Sequence, residues 1–196
     1  MDPQRLYTTG LVMMFLCAAI TCPILFYVSA PYGRHRRAGW GPEMHDGLAW
    51  IVQESPSVIL FAVVYFYGGH AIELAPLLLF ALWQAHYIQR TFVYPFLLRG
   101  KGRRAPLATV LLAVLFNCVN SAVNGYALSH VGSYDAGWVS DPRFIGGVAL
   151  FLVGYSINRH SDRVLRTLRE PDGEGYKVPN EGLHRFVASP NYLGEI

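Results

Sequence analysis

The chain has 196 residues, of which 53% are apolar and only 15% charged; this excludes a disordered segment and speaks against an ordinary soluble domain. Its formal charge of +3 rests on 14 Arg and 2 Lys against 13 acids, too small an excess for a nucleic-acid surface. The three cysteines, Cys17, Cys22 and Cys118, all lie inside apolar runs, an odd set that suits neither a disulfide framework nor a thiolate metal site.

In chain order, the first apolar block is Leu6 to Tyr27, about 22 residues, enough at 1.5 Å per residue to cross a hydrocarbon core of about 30 Å. It is too long for a signal-peptide core, and Pro23 and Tyr27 make a poor cleavage site. A second span is predicted from Leu48 to Tyr67, with Gln53 and Glu54 about two turns inside it and Pro56 weakening the helix behind them. The third, Leu74 to Leu98, holds Tyr87, Arg90 and Tyr94 at i, i+3 and i+7 on one helical face. An Arg at the centre of a span costs roughly 2.5 to 3.5 kcal/mol, so this face is expected to look away from lipid. The fourth, Ala105 to Leu128, repeats the pattern with Asn117, Asn120 and Asn124. A fifth and shorter span, Pro142 to Asn158, leads into Asn158, Asp162, Arg166 and Arg169 at i, i+4, i+8 and i+11. Beyond Arg169, the run from Glu170 to Gly182 is turn-rich, of the kind that covers cofactors. The expected fold is an all-α, multi-pass transmembrane helical bundle. It is one membrane domain over residues 1–196, with five spans, the start of a sixth near Asn191, and a covering loop at about 159–190.

Basic residues alternate from loop to loop. Arg34, Arg36 and Arg37 fall in the first loop, Arg99, Lys101, Arg103 and Arg104 in the third, and six more follow the fifth span, so thirteen of the sixteen lie on one side. The positive-inside rule therefore sets the amino terminus outside. Glu54 then lies roughly 9 Å, and Tyr87 roughly 16 Å, from the cytosolic ends of their spans at the helical rise. Together with the Asn158 stripe, they imply a polar cavity open to the cytosol. Plainer readings exist for each group: the Asn stripe as interhelical hydrogen-bond glue, the basic helix after Asn158 as a headgroup-binding extension, and Glu54 with Tyr87 and Arg90 as a structural ion pair. The sequence contains no HExxH, GxSxG, CxxC or Walker motif. Gly100 to Ala105 matches GxGxxA, but it follows a membrane helix where a dinucleotide fingerprint needs a strand.

The chain resembles the steroid 5α-reductase family of integral membrane, NADPH-dependent enzymes. The likeness is carried in order by Pro31-Tyr-Gly-Arg-His35, Val52-Gln-Glu-Ser-Pro-Ser57, His86-Tyr87 with Arg90-Thr-Phe-Val-Tyr94, Gly137-Trp138 with Asp141 and Arg143-Phe144, Ile157-Asn-Arg-His-Ser-Asp162 with Arg166 and Arg169, and Asn191-Tyr-Leu-Gly-Glu-Ile196. The resemblance implies a seven-helix fold that binds NADPH from the cytosol and reduces the 4,5 double bond of a 3-oxo-Δ4-steroid, hydride going to C5 and a proton to C4. Gln53, Glu54 and Tyr87 would hold the 3-oxo group and stabilise the enolate. Tyr32, Arg34, Arg90, Tyr94, Asn158, Asp162, Arg166, Arg169, Lys177, Asn191 and Glu195 would bind the cofactor, with no metal involved. The family's Asn-Arg-Gly is Leu98-Arg99-Gly100 here, leaving Arg99, Lys101 or Arg103 as substitutes. Family members continue past Gly-Glu-Ile through further helices, so the expectation is that these residues are a fragment lacking that segment.

Competing readings are a reductase of another unsaturated lipid (a polyprenol, an enoyl thioester or a sterol), a membrane methyltransferase, and a transporter or scaffold. Gln53-Glu54 with Tyr87 favours a cyclic enone, and no repeat between the halves supports transport. No protein partner or nucleic acid is implied, only the bilayer and an apolar substrate. The Arg-over-Lys bias suits a bacterial inner membrane better than the endoplasmic reticulum.

Overall fold

Helices dominate because apolar segments in lipid must satisfy every backbone N–H and C=O within themselves. The computed structural model describes residues 2–29, 39–98, 104–135, 137–168 and 177–195; Tyr32, Arg34, Arg99, Lys101, Arg103 and Arg169 lie outside them. In chain order the elements are α1 (Pro3–Tyr27), β1 (Glu43–His45), α2 (Asp46–Phe66), α3 (Leu74–Ile88), α4 (Tyr94–Leu97), β2 (Arg104–Pro106), α5 (Leu107–Tyr126), α6 (Pro142–Thr167) and α7 (Pro190–Leu193). The fold class is the all-α, multi-pass membrane bundle, with Pro3–Tyr27, Asp46–Phe66 and Leu107–Val131 long and apolar enough to cross a bilayer.

Three details differ from the expectation. A π-helical turn at Gln89–Val93 joins α3 to α4 where one regular helix was expected, and a second, Ala127–Val131, extends α5. The helix of the fifth span continues past Asn158: α6 runs unbroken to Thr167, so Asn158, Asp162 and Arg166 lie on one helix where the covering loop was expected from about residue 159. Two short strands also pair antiparallel, Met44 opposite Ala105. Leu107 N–H donates to the Pro42 carbonyl at 2.8 Å, so the entries to α2 and α5 are tied side by side.

The chain divides into two compact units, residues 1–95 with 104–133, and 96–103 with 134–196. In the first, α2 and α5 form the principal helix pair. Apolar clusters close both ends: Ala49, Ala105 and Val110 near the strands, and Phe61, Tyr65 and Ala71 with Phe80 and Trp83 at the other. Small and polar groups lie between, with Ser57, Asn117 and Ser121 buried. Gly125 permits the approach, since a Cβ there would stand 3.2 Å from the Phe61 carbonyl oxygen. By contrast α1, capped by Asp2 with Pro3 at its first position, buries no residue. It meets α5 only lightly, with Tyr7 and Tyr126 rings 5.5 Å apart.

In the second unit, Asp141 caps α6. Its carboxylate accepts from the Arg143 N–H at 2.8 Å and from the Arg143 guanidinium at 2.9 and 2.8 Å, and that guanidinium stacks 4.5 Å from the Trp138 ring centroid. These bonds hold the Asp141 carboxyl down at about 2. At its midpoint, α6 meets α7 backbone to backbone, because a Cβ on Gly154 would lie 2.6 Å from the Gly194 carbonyl oxygen.

Candidate active site

Gln53 and Glu54 sit on α2 just ahead of Pro56, which lacks an N–H and so cannot satisfy the carbonyl of Val52. The Ser55 hydroxyl donates to that carbonyl at 3.0 Å. Neighbouring helices reinforce the same stretch. Asn117 of α5 donates to the Gln53 carbonyl at 2.6 Å, and from α3 Trp83 donates to Ser57 at 2.8 Å and Gln84 to Val58 at 3.0 Å. Donors from two other helices therefore fix the segment that carries Glu54. The Asn stripe divides: Asn117 is interhelical glue, whereas Asn124 bonds back to Asn120 on its own helix at 2.9 Å.

Tyr87 is half-buried, and its ring lies 4.7 Å from that of Trp83, the residue that donates to Ser57. Trp83 also stacks on Phe61 at 4.3 Å. One indole thus couples the phenol of α3 to the α2 segment behind Glu54. Two residues past α3, Arg90 falls in the π-turn, where Tyr94 N–H bonds to the Gln89 carbonyl. A π-turn gives up regular helical bonding and occurs often at functional sites. Here Gln89, Arg90 and Thr91 are all buried.

Arg90 is 8% exposed, with its guanidinium 4.7 Å from the Trp50 ring centroid and 5.0 Å from that of Tyr94. The two rings meet edge to face at 5.0 Å. Cation–π contact holds the guanidinium in an apolar setting. Trp50 stands one helical turn before Glu54, so α2 carries the carboxyl and one ring of the Arg90 box on the same face.

In the second unit, Asn158 is 1% exposed on α6, and its amide donates to the Asn191 carbonyl at 3.0 Å and to Glu195 Oε1 at 2.9 Å. This gathers three of the expected cofactor residues at the α6–α7 contact. The Asn158 Oδ1 atom is buried without a hydrogen-bond partner among the described residues. Asp162 is buried one turn on and Arg166 half-buried beyond it, whereas Lys177 is exposed. Among the described residues no group of three or more His, Cys, Asp or Glu could hold a metal.

The family model described as 3-oxo-5-alpha-steroid 4-dehydrogenase matches residues 103–196. Over 98% of its length the chain is 38% identical to 3-oxo-5-alpha-steroid 4-dehydrogenase 1 of Bos taurus, covering 77% of that protein. It belongs to the steroid 5α-reductase family. The human 3-oxo-5-alpha-steroid 4-dehydrogenase 1 is also 38% identical, over 94% of this chain and 73% of its own length. Steroid 5-alpha-reductase DET2 of Arabidopsis thaliana is 35% identical over the same shares.

Within this steroid 5α-reductase family member, reading the sequence named Arg90 and Tyr94 but missed Trp50, because a tryptophan inside an apolar span carries no hydropathy signal. Its position four residues before Glu54, opposite a span that buries an Arg, was the available clue. Trp83 was missed for the same reason. Gly154 and Gly194 carry no such signal either, although Gly194 belongs to the Gly-Glu-Ile stretch.

Proposed function

We propose that the chain is an NADPH-dependent oxidoreductase that reduces the 4,5 double bond of a 3-oxo-Δ4-steroid. One observation carries this reading: a buried guanidinium is held between Tyr94 and Trp50, and Trp50 stands one turn before Glu54 on a stretch of α2 whose main chain is fixed by donors from two other helices. The names of the relatives agree with it.

Adding a hydride at C5 of the enone moves negative charge to the 3-oxo oxygen, and a phenol supported by a carboxyl group stabilises that charge by hydrogen bonding. Tyr87 would donate to the ketone oxygen, with Glu54 and Gln53 orienting it, and the enolate then takes a proton at C4. The side chains present suit NADPH. Arg90 and Arg166 offer donors to phosphates, Asn191 is an amide, and the unsatisfied Asn158 Oδ1 is an acceptor for a carboxamide N–H. Tyr94, Asp162, Lys177 and Glu195 belong to the same proposed set, as do Tyr32, Arg34 and Arg169. NADPH, when bound, would supply the hydride. The placing of the basic residues supports an amino terminus outside and cofactor entry from the cytosol, and the Arg-over-Lys bias supports a bacterial inner membrane.

The test is conversion of a 3-oxo-Δ4-steroid by membranes carrying the chain, read by mass spectrometry as a gain of two hydrogens that requires NADPH. Product lost in both Tyr87→Phe and Glu54→Ala supports the enolate-stabilising pair. No product from a chain that binds NADPH moves the substrate to another unsaturated lipid, and no NADPH binding at all sinks the oxidoreductase reading.

A further inference from the structure

The face of α6 opposite the Asn158–Asp162–Arg166 stripe has a structure of its own. Ile157 and His160 lie on that face, with Ser161 at its edge beside Asn158, and the 3-10 turn Gly182–Arg185 comes against it. Gly182 makes the approach possible. It adopts φ +56, and a Cβ there would stand 2.7 Å from His160 Nε2. Between them lies an open groove of about 500 Å³, walled by Ile157, Leu183 and Phe186. Its lining surface is mostly apolar: of its polar residues Ser156 is spent on the Leu152 carbonyl at 2.7 Å, which leaves Ser161 and His160, too few convergent groups to orient a compact polar ligand. Ser161 is 1% exposed, and its hydroxyl has no hydrogen-bond partner among the described residues.

The groove continues an exposed apolar track. Val153 and Leu150, 56% and 70% exposed, stand on the same face as Ile157, one and two turns deeper in the apolar part of α6. Where the groove opens, α6 changes from apolar to charged, the change expected at a membrane–water boundary. Among the described residues the exposed charged side chains there are mostly basic: Arg163 one turn beyond His160, and Arg185 beside Leu183 and Phe186, against Glu181.

We propose that this groove is a site for an anionic glycerophospholipid of the adjoining leaflet. One acyl chain follows Leu150, Val153 and Ile157 into the space under Leu183 and Phe186. An ester carbonyl accepts from the Ser161 hydroxyl, supplying a partner that the described residues do not, and the phosphate faces His160, Arg163 and Arg185. The proposal does not depend on the reductase reading, since none of the residues lining the groove is among those assigned to the cofactor.

The experiment places the chain in nanodiscs containing a trace of phosphatidylglycerol with a diazirine midway along one acyl chain, and separately the phosphatidylcholine of identical chains. After irradiation, labelled peptides are mapped. The expected result is labelling of residues 156–161 and 182–186 above that of α1, with phosphatidylglycerol favoured on the order of fivefold, as one basic side chain near a headgroup would give. Arg163→Gln with Arg185→Gln, both at exposed positions, should bring the two lipids to parity, and Leu183→Asp should lower labelling by both. Equal labelling by the two lipids in the unaltered chain overturns the headgroup choice and with it the proposal. Groove labelling no higher than α1 overturns it as well, as does a groove protected by a second copy of the chain.

Discussion

Helices α2 and α6 each carry a polar stripe through an apolar segment, yet they are fastened to their neighbours by opposite means. Around α2 the fasteners are long side chains: Asn117, Trp83 and Gln84 reach across to main-chain carbonyls near Pro56. Against α6 the fastener is the absence of side chains, with Gly154 and Gly194 bringing two backbones together and Asn158 sealing the contact. A bond made by a side chain can be lost singly while its neighbours hold. A contact made by two glycines has no slack, because what stands in the way of an added methyl group is backbone.

The contrast is broken most directly at the glycines. Gly194→Ala puts a Cβ against the Gly154 carbonyl oxygen on one side and 2.7 Å from Asn158 N on the other. Overpacking of this kind costs about 1–3 kcal/mol. The thermal midpoint of the detergent-solubilised chain should fall accordingly, and NADPH affinity should fall with it if Asn158 serves as proposed. Gly146→Ala and Gly147→Ala are the controls on the same helix, since nothing lies within 4 Å of either added Cβ, and both should leave the midpoint unchanged or slightly raised.

On the α2 side, Trp50→Ala should have the next largest effect. It strips one ring from a buried guanidinium whose cation–π contact is worth about 2 kcal/mol when desolvated. Under the proposed function, the dissociation constant for NADPH, measured by titration, should rise by roughly an order of magnitude, with Trp50→Phe recovering most of the loss. An unchanged constant would detach the Arg90 box from cofactor binding and leave it a structural device. Asn117→Leu is milder. It removes one interhelical bond of about 0.6 kcal/mol, so a small drop in midpoint is expected, with Trp83 and Gln84 still holding the segment.

The smallest effect concerns the start of α6. The Asp141 carboxyl is held at about 2, below its ordinary 3.8, by its bonds to Arg143, so its contribution is present above about pH 4 and is lost as the pH falls through about 2. Hydrogen exchange over the first turn of α6, corrected for intrinsic rates, should show constant protection from pH 7 to pH 4.5 and a decline between pH 4 and pH 2. Asp141→Asn should flatten that decline. Because the pair is exposed, the rest of the molecule should not respond.

How much could be read in advance differs between these same regions. The apolar blocks gave α1, α2 and α5 to within a few residues, and Arg90 announced itself because a buried guanidinium in an apolar run is costly wherever it stands. The pairing of β1 with β2 was not legible, since three residues matched to three others some sixty positions away leave no periodicity. Nor were the π-turns, which depend on how α3 and α5 settle against neighbours. Glycines within helices are equally mute, for Gly146 and Gly154 look alike in sequence while only one is pressed against another backbone.

What the chain's own order of residues determined, then, is where it is apolar enough to cross a membrane and which crossings carry polar groups, because transfer from water to lipid is summed residue by residue along a segment. Tertiary structure alone decided what each polar group meets. Asn117 finds the Gln53 carbonyl across 64 positions and Trp83 finds Ser57 across 26, while Arg90 lies against Trp50 on another helix. Hydrogen bonds and cation–π contacts are set by distances of a few ångströms, and those distances exist only once the helices have packed.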